Sequence, residues 1–208
     1  DPDVLRVMNE PYSLNPKELQ TGPDAAERTT PHYDDAFEQW VAPFVMAGIN
    51  TKVVRRSNAL LDYRYGKAFR YDEAILMGAG PCGLAKATAT SLGSVAMMGA
   101  MSIGPIRRMV SGRLPQPGDG PTKEQREKGY FDLLLSGWSA GGERIDVRVR
   151  GDRDPGYGST AKMLAESALC LARDDLDSAG GMHTPASAMG DALLERLPAA
   201  GVTFEVVD

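Results

Sequence analysis

Polar and apolar positions split the chain into a proline-punctuated opening and a remainder in which helical and strand periods alternate. Residues 1–35 set Pro2, Pro11, Pro16, Pro23 and Pro31 among polar side chains. Proline removes a backbone donor and fixes φ, so this spacing predicts an extended arm or interdomain connection over 1–36, with only short helical pieces such as "PKELQ". From Phe37 the pattern changes. "WVAPFVMAGINTKVVRRSNALL" holds an apolar patch and then a helix from Asn50, as N-cap, to about Leu61, with Ile49, Val53, Val54, Leu60 and Leu61 as its buried face. "YGKAFRYDEAILMG" alternates as a strand does, and Lys86 is the only charge from Ala74 to Ile106.

"RLPQPGDGPTKEQREKG" reads as a loop ending in a short polar helix. "YFDLLLSGW" and "ERIDVRVRGD" flank "SAGG" as a hairpin, with Ile145, Val147 and Val149 alternating against Asp146, Arg148 and Arg150. "DPGYGST" leads into a helix, "AKMLAESALCLARDD", with Leu164, Ala168 and Leu171 on one face. Thr184 caps a further helix that Pro185 starts and Met189, Leu193 and Leu197 stripe, and a last strand spans Val202 to Val207. Antiparallel strand pairs with helices packed on them predict an α+β fold over 37–208, a mixed, largely antiparallel sheet covered by helices.

A chain of 208 residues, 42% hydrophobic and 25% charged, is long enough to bury a core. Its net charge of -5 leaves no basic surplus for phosphates and excludes the usual nucleic-acid binder. Cys82 and Cys170 form no C-x-x-C and read as buried thiols. His32 and His183 have no metal-ligand spacing, so no metal site is expected. The absence of a secretory signal points to the cytoplasm, and the start at Asp1-Pro2 without methionine suggests a fragment or processed piece.

"ILMGAGPCGLAKA" places Gly78, Gly80 and Gly83 in G-x-G-x-x-G register. A dinucleotide fingerprint also needs a second strand ending in an acid about 20 residues on, and a free N–H at each backbone position facing the pyrophosphate. "LAKATATSLGSVAMMGAMSIGP" supplies no acid, and Pro81 lacks the N–H. The expectation is a glycine-rich turn into a helix, with no cofactor held there. Ala87 to Ile106 is about long enough to cross a bilayer. Its Ala, Gly, Ser and Thr content favours a protein-packed helix, with lipid contact as the rival.

"GDRDPGYGSTAKML" is the richest local signal. Gly156 and Gly158 permit a tight turn, and Ser159 or Thr160 caps the helix after it, so that free N–H groups face a substrate anion or polarised group. Tyr157 is the candidate proton donor, although the Tyr157–Lys162 spacing is one residue longer than the Y-x-x-x-K couple of short-chain dehydrogenases. The alternative is a purely structural turn. Arg55, beside Arg56, is a further candidate substrate-binding residue, with a solvated face or a salt bridge as the alternatives.

"NTKVVRRSNALLDYRYGKAFRY", "LPQPGDGPTKEQREKGYFDLLLSG", "GDRDPGYGSTAKMLAESALCLA" and "GGMHTPASAMGDALLERLPAAGVTFEV" resemble, in this order, the C-terminal part of saccharopine dehydrogenase-like oxidoreductases, in particular the mycobacterial trans-acting enoyl reductase group. The resemblance implies a substrate-binding and dimerisation domain that accompanies an N-terminal Rossmann domain, absent from this chain, which holds NAD(P)H. It further implies reduction of a double bond in an acyl or polyketide-derived chain during lipid synthesis, a homo-oligomer, and inactivity of this part alone. The rival class is a non-catalytic lipid- or membrane-associating module.

Overall fold

The computed structural model describes Val7 and residues 9–24, 28–112 and 118–207. The chain divides into two compact units, Asp1–Pro115 and Gln116–Asp208. Each holds a three-stranded antiparallel sheet with helices, so the α+β class holds with the strands shared between two sheets.

In the first unit, β1 (His32–Asp34), β2 (Gln39–Pro43) and β3 (Ala74–Gly78) stand in that order, with a bulge at Trp40/Val41. Val41 and Ala42 on the central strand are buried. The first helix, α1 (Ala47–Leu60), begins a turn earlier than Asn50 would have it, with Met46 at the N-cap. Asn50 is no cap; its amide donates to the Glu73 carboxylate at 2.9 Å. The buried face also differs from the one expected. Ala47, Thr51, Lys52, Arg55, Asn58 and Ala59 are buried, whereas Ile49 is 56% exposed. What packs on α1 is hydrogen-bonding backbone and side chains from the opening stretch and from residues 65–71, so the covered stripe is polar. Described residues of the stretch read as an arm accordingly fold onto this helix: Tyr12 and Asp24 bond each other at 2.6 Å, and Arg55 reaches Asp24 at 3.0 Å.

After β3 come α2 (Gly80–Ser102) and α3 (Gly104–Ser111). α2 packs on β2 and buries Gly83, Ala87 and Ser91, one stripe at i, i+4 and i+8. A Cβ on Gly83 would collide with the Gly78 carbonyl, so glycine is what lets helix and strand approach. Among the described residues no helix is long and apolar enough to cross a membrane.

In the second unit, α4 (Lys123–Lys128) is closed by a capping box between Thr122 and Gln125. The expected hairpin forms, β4 (Phe131–Trp138) against β5 (Arg144–Gly151), and β6 (Val202–Val207) joins β5. The register puts Phe131, Leu133, Ile145, Val147, Val149, Val202 and Phe204 on one face and the Asp132, Arg148 and Glu205 charges on the other. Over the Phe131–Val149–Val202 end lie α5 (Gly158–Arg173), α6 (Pro185–Ala188) and α7 (Gly190–Arg196), closing a core of Cys170, Met189, Leu193, Leu197 and Val202. The Met189–Leu193–Leu197 stripe and the Thr184 cap are as expected. The face expected for α5 is not the packed one. Leu164 and Leu171 are exposed, and the helix enters the core through Met163 and Cys170, an alternative helical stripe that tertiary packing selects. Cys170 is buried as read; Cys82 is exposed, contrary to expectation.

Candidate functional site

The first glycine turn has part of the local form of a nucleotide loop. Gly78 and Gly80 take positive φ, +97° and +66°, between a strand and a helix N-terminus. Its surroundings do not fit a dinucleotide. β3 is antiparallel to β2 at a sheet edge, no parallel strand follows among the described residues, and Pro81 in the first turn of α2 presents no N–H.

The second turn, between β5 and α5, gathers Gly156, Tyr157, Gly158, Ser159 and Thr160. The N–H groups expected to be free there are engaged by the chain itself. The Asp154 carboxylate accepts from the backbone N–H of Tyr157 at 2.9 Å and of Gly158 at 2.8 Å, and the Asp154 carbonyl accepts from that of Ser159 at 2.9 Å. Asp154 therefore supplies the negative charge at the helix start, in place of the Ser159 or Thr160 cap read from sequence. The Ser159 hydroxyl donates instead to the Arg153 carbonyl, and the Thr160 hydroxyl to that of Pro155. Gly158 is required sterically, since a Cβ there would lie 2.7 Å from the Arg153 Cβ and 2.8 Å from an Asp154 carboxylate oxygen.

Tyr157 is 54% exposed, and its hydroxyl makes no hydrogen bond among the described residues. Lys162 does not pair with it; the ammonium bonds both Asp152 oxygens, at 2.6 and 2.9 Å. The residue before Asp152, Gly151, ends β5 and opens onto a groove of about 500 Å³ whose lining includes Tyr130, Arg150, Asp152 and Thr203. Gly151 and Gly201 form part of it; a Cβ at Gly151 would strike the Phe131 ring, and one at Gly201 would lie 2.5 Å from the Asp152 carboxylate. Asp132, at the same groove, is hydrogen-bonded by Arg148 and flanked by Arg150, which holds its carboxyl below the ordinary range.

Arg55 is in the other unit and is buried. Its guanidinium bonds Asp24, the Pro11 and Tyr71 carbonyls and Thr51. Burial, with the Asp24 carboxylate beside it, pushes the Tyr12 hydroxyl pKa up. The cavity beside Arg55 is about 10 Å³, room for one water and no acyl group. Arg55 thus holds the opening stretch to α1, the ion-pair alternative of the sequence reading, while the other candidates share the turn. His183 bonds Ser187 locally, at 3.3 Å. Among the described residues no three His, Cys, Asp or Glu side chains could hold a metal. Asp154, Asp152, Arg150 and Thr203 escaped the sequence reading. For Asp154 a signal existed, since Asp-Pro starts turns and Asp favours helix N-termini.

Known proteins match nearly the whole of this sequence. A protein of Mycobacterium tuberculosis, named provisionally as a trans-acting enoyl reductase, is 42% identical over 99% of the chain and 52% of its own length. The chain is similar to half of that protein. A trans-acting enoyl reductase of Mycobacterium bovis is 39% identical over 98% of the chain and 51% of its own length. One from Mycobacterium ulcerans is 38% identical over 97% and 51%. The chain thus spans about half the length of the curated relatives it matches. No family model matches it, and no solved structure does.

Proposed function

We propose that this chain is the substrate-binding part of an enoyl reductase that acts on an acyl or polyketide-derived chain with NAD(P)H as reductant. The observation that carries the reading is the 42% identity, over 99% of the chain, to a relative with an enoyl reductase name. The reductant is assigned to a dinucleotide-binding domain outside these residues, as in saccharopine dehydrogenase-like oxidoreductases. The poor fit of the Gly78–Gly80 turn to a dinucleotide supports that assignment.

Saturating a carbon–carbon double bond adds a hydride to one carbon and a proton to the other. The chain's own part is to bind the substrate and deliver the proton. Tyr157, exposed on a turn fixed by Asp154, is the candidate donor, and the groove beside Asp152 and Arg150 receives the polar end of the substrate. Gly156 and Gly158 shape this turn, and Ser159 and Thr160 brace it through its own carbonyls.

The test is calorimetric titration of the chain with a 2-enoyl thioester and, separately, with NADH and NADPH. Saturable binding of the thioester with none of either nucleotide is expected. Tight nucleotide binding that Gly80→Asp abolishes would overturn the division of labour.

A further inference from the structure

The reductase reading leaves the far end of α2 unused. Gly83, Ala87 and Ser91 are its buried positions, and the same stripe continues to Val95 and Met98, which are 59% and 71% exposed. The helix runs off its sheet. Residues 92–99 are all exposed, with Leu92, Val95, Met97 and Met98 as large apolar side chains pointing in several directions around the axis. Helices apolar all round are normally enclosed.

Two features indicate what encloses this one. A single protein surface covers one face of a helix, whereas hydrocarbon surrounds every remaining face, and flexible methionines suit such a fluid contact. The charge pattern points the same way. From Ala74 to Gly118 the sequence contains no Asp or Glu, and its charges are Lys86, Arg107, Arg108 and Arg113, in a chain whose net charge is -5. Arg107 and Arg108 are exposed on α3, which follows the overhang directly. We propose that the α2 overhang and α3 form a docking surface for an anionic lipid bilayer, with the apolar residues in the outer hydrocarbon and Arg107 and Arg108 among the headgroups. The overhang from Leu92 to Ser102 rises about 16 Å, roughly half the thickness of a hydrocarbon core, so it seats in one leaflet without crossing. This surface stands apart from the enoyl reductase reading, and either can fail alone.

Flotation of the chain with phosphatidylcholine vesicles, with and without phosphatidylglycerol, is the test. Binding to the anionic vesicles is expected, weakened by added salt. Val95→Glu with Met98→Glu should lower it roughly tenfold or more, and so should Arg107→Glu with Arg108→Glu. Unchanged thermal unfolding of these exposed-site variants checks their fold, and Val95→Trp should show blue-shifted emission on the anionic vesicles. The proposal is overturned by absent flotation of the unmodified chain or by variants that float equally well. Absent flotation with a dimer that Val95→Glu dissociates would overturn it too, and would assign the surface to a second copy.

Discussion

The first unit buries a salt bridge where the second buries hydrocarbon. Around α1 the covered positions are Thr51, Lys52, Arg55 and Asn58, with Arg55 paired to Asp24, Lys52 donating to the Val7 carbonyl and Asn58 to that of Gly66. Beneath α5 and α7 they are Cys170, Met189, Leu193, Leu197 and Val202. A polar interior is geometrically demanding, because each donor needs its acceptor, whereas an apolar interior tolerates small rearrangements. The contrast extends to the two glycine turns. The first is set by close approach, Gly83 against Gly78, and the second by a carboxylate, Asp154, that bonds backbone amides.

Because Trp40 lies in one unit and Trp138 in the other, urea unfolding of the two single-tryptophan variants, Trp138→Phe and Trp40→Phe, followed by fluorescence reads each unit separately. The largest loss is expected from Arg55→Ala, about 4 kcal/mol, since Asp24 would remain buried without its cation. Replacing both partners, Arg55→Met with Asp24→Leu, should cost less. Equal shifts of both tryptophan signals would show that the units unfold as one and break the contrast. Leu193→Ala follows at about 3 kcal/mol, read mainly at Trp138.

Asp154→Ala should cost about 1 kcal/mol. If the start of α5 is an anion seat that the chain fills itself, added sulfate should stabilise Asp154→Ala more than the unmodified chain; an equal response would leave Asp154 a turn-former only. At the other end of α5, two Arg196 hydrogen bonds, at 2.6 and 2.7 Å, bring the Asp174 pKa down to about 2 from its ordinary 3.8. A depressed carboxyl pKa stabilises the folded state above the unfolded value and ceases to do so as pH falls through the folded one. Thermal stability should therefore decline between about pH 4 and pH 2, and less steeply in Arg196→Met. The same burial that encloses Cys170, with Asp174 nearby, pushes its thiol pKa up, so alkylation should reach Cys82 first. Tyr157→Phe should change stability least, by a few tenths of a kcal/mol, while lowering enoyl-reduction turnover by roughly a hundredfold when the chain is joined to a cofactor-binding domain. Unchanged turnover would move proton delivery away from this turn.

Much of the second unit was legible residue by residue. The β4–β5 hairpin, the β6 strand, the Thr184 cap and the Met189–Leu193–Leu197 stripe all follow from local rules of alternation, turn chemistry and capping. For the candidate site, the sequence located the turn and its glycines, but not the Asp154 carboxylate bound to its amides or the groove beside Asp152. The groove depends on strands distant in sequence meeting in space, whereas the Asp154 bonds are local, three and four residues on, and their Asp-Pro signal was there to be read. In the first unit, hydrophobic periodicity chose Ile49 and Val53 for the inside of α1, because that rule is blind to a buried face made of hydrogen bonds. For α5 two helical stripes were available, Leu164–Leu171 and Met163–Cys170, and nothing local distinguishes them. Across most of the second unit the sequence by itself determined where chain segments turn, start and stop, since those depend on neighbours a few residues away; α1, which starts a turn before Asn50, did not follow its local signal. Which faces are covered, and which charges find partners, was decided by tertiary structure, because burial belongs to pairs of surfaces and one strand or helix carries only half of each pair.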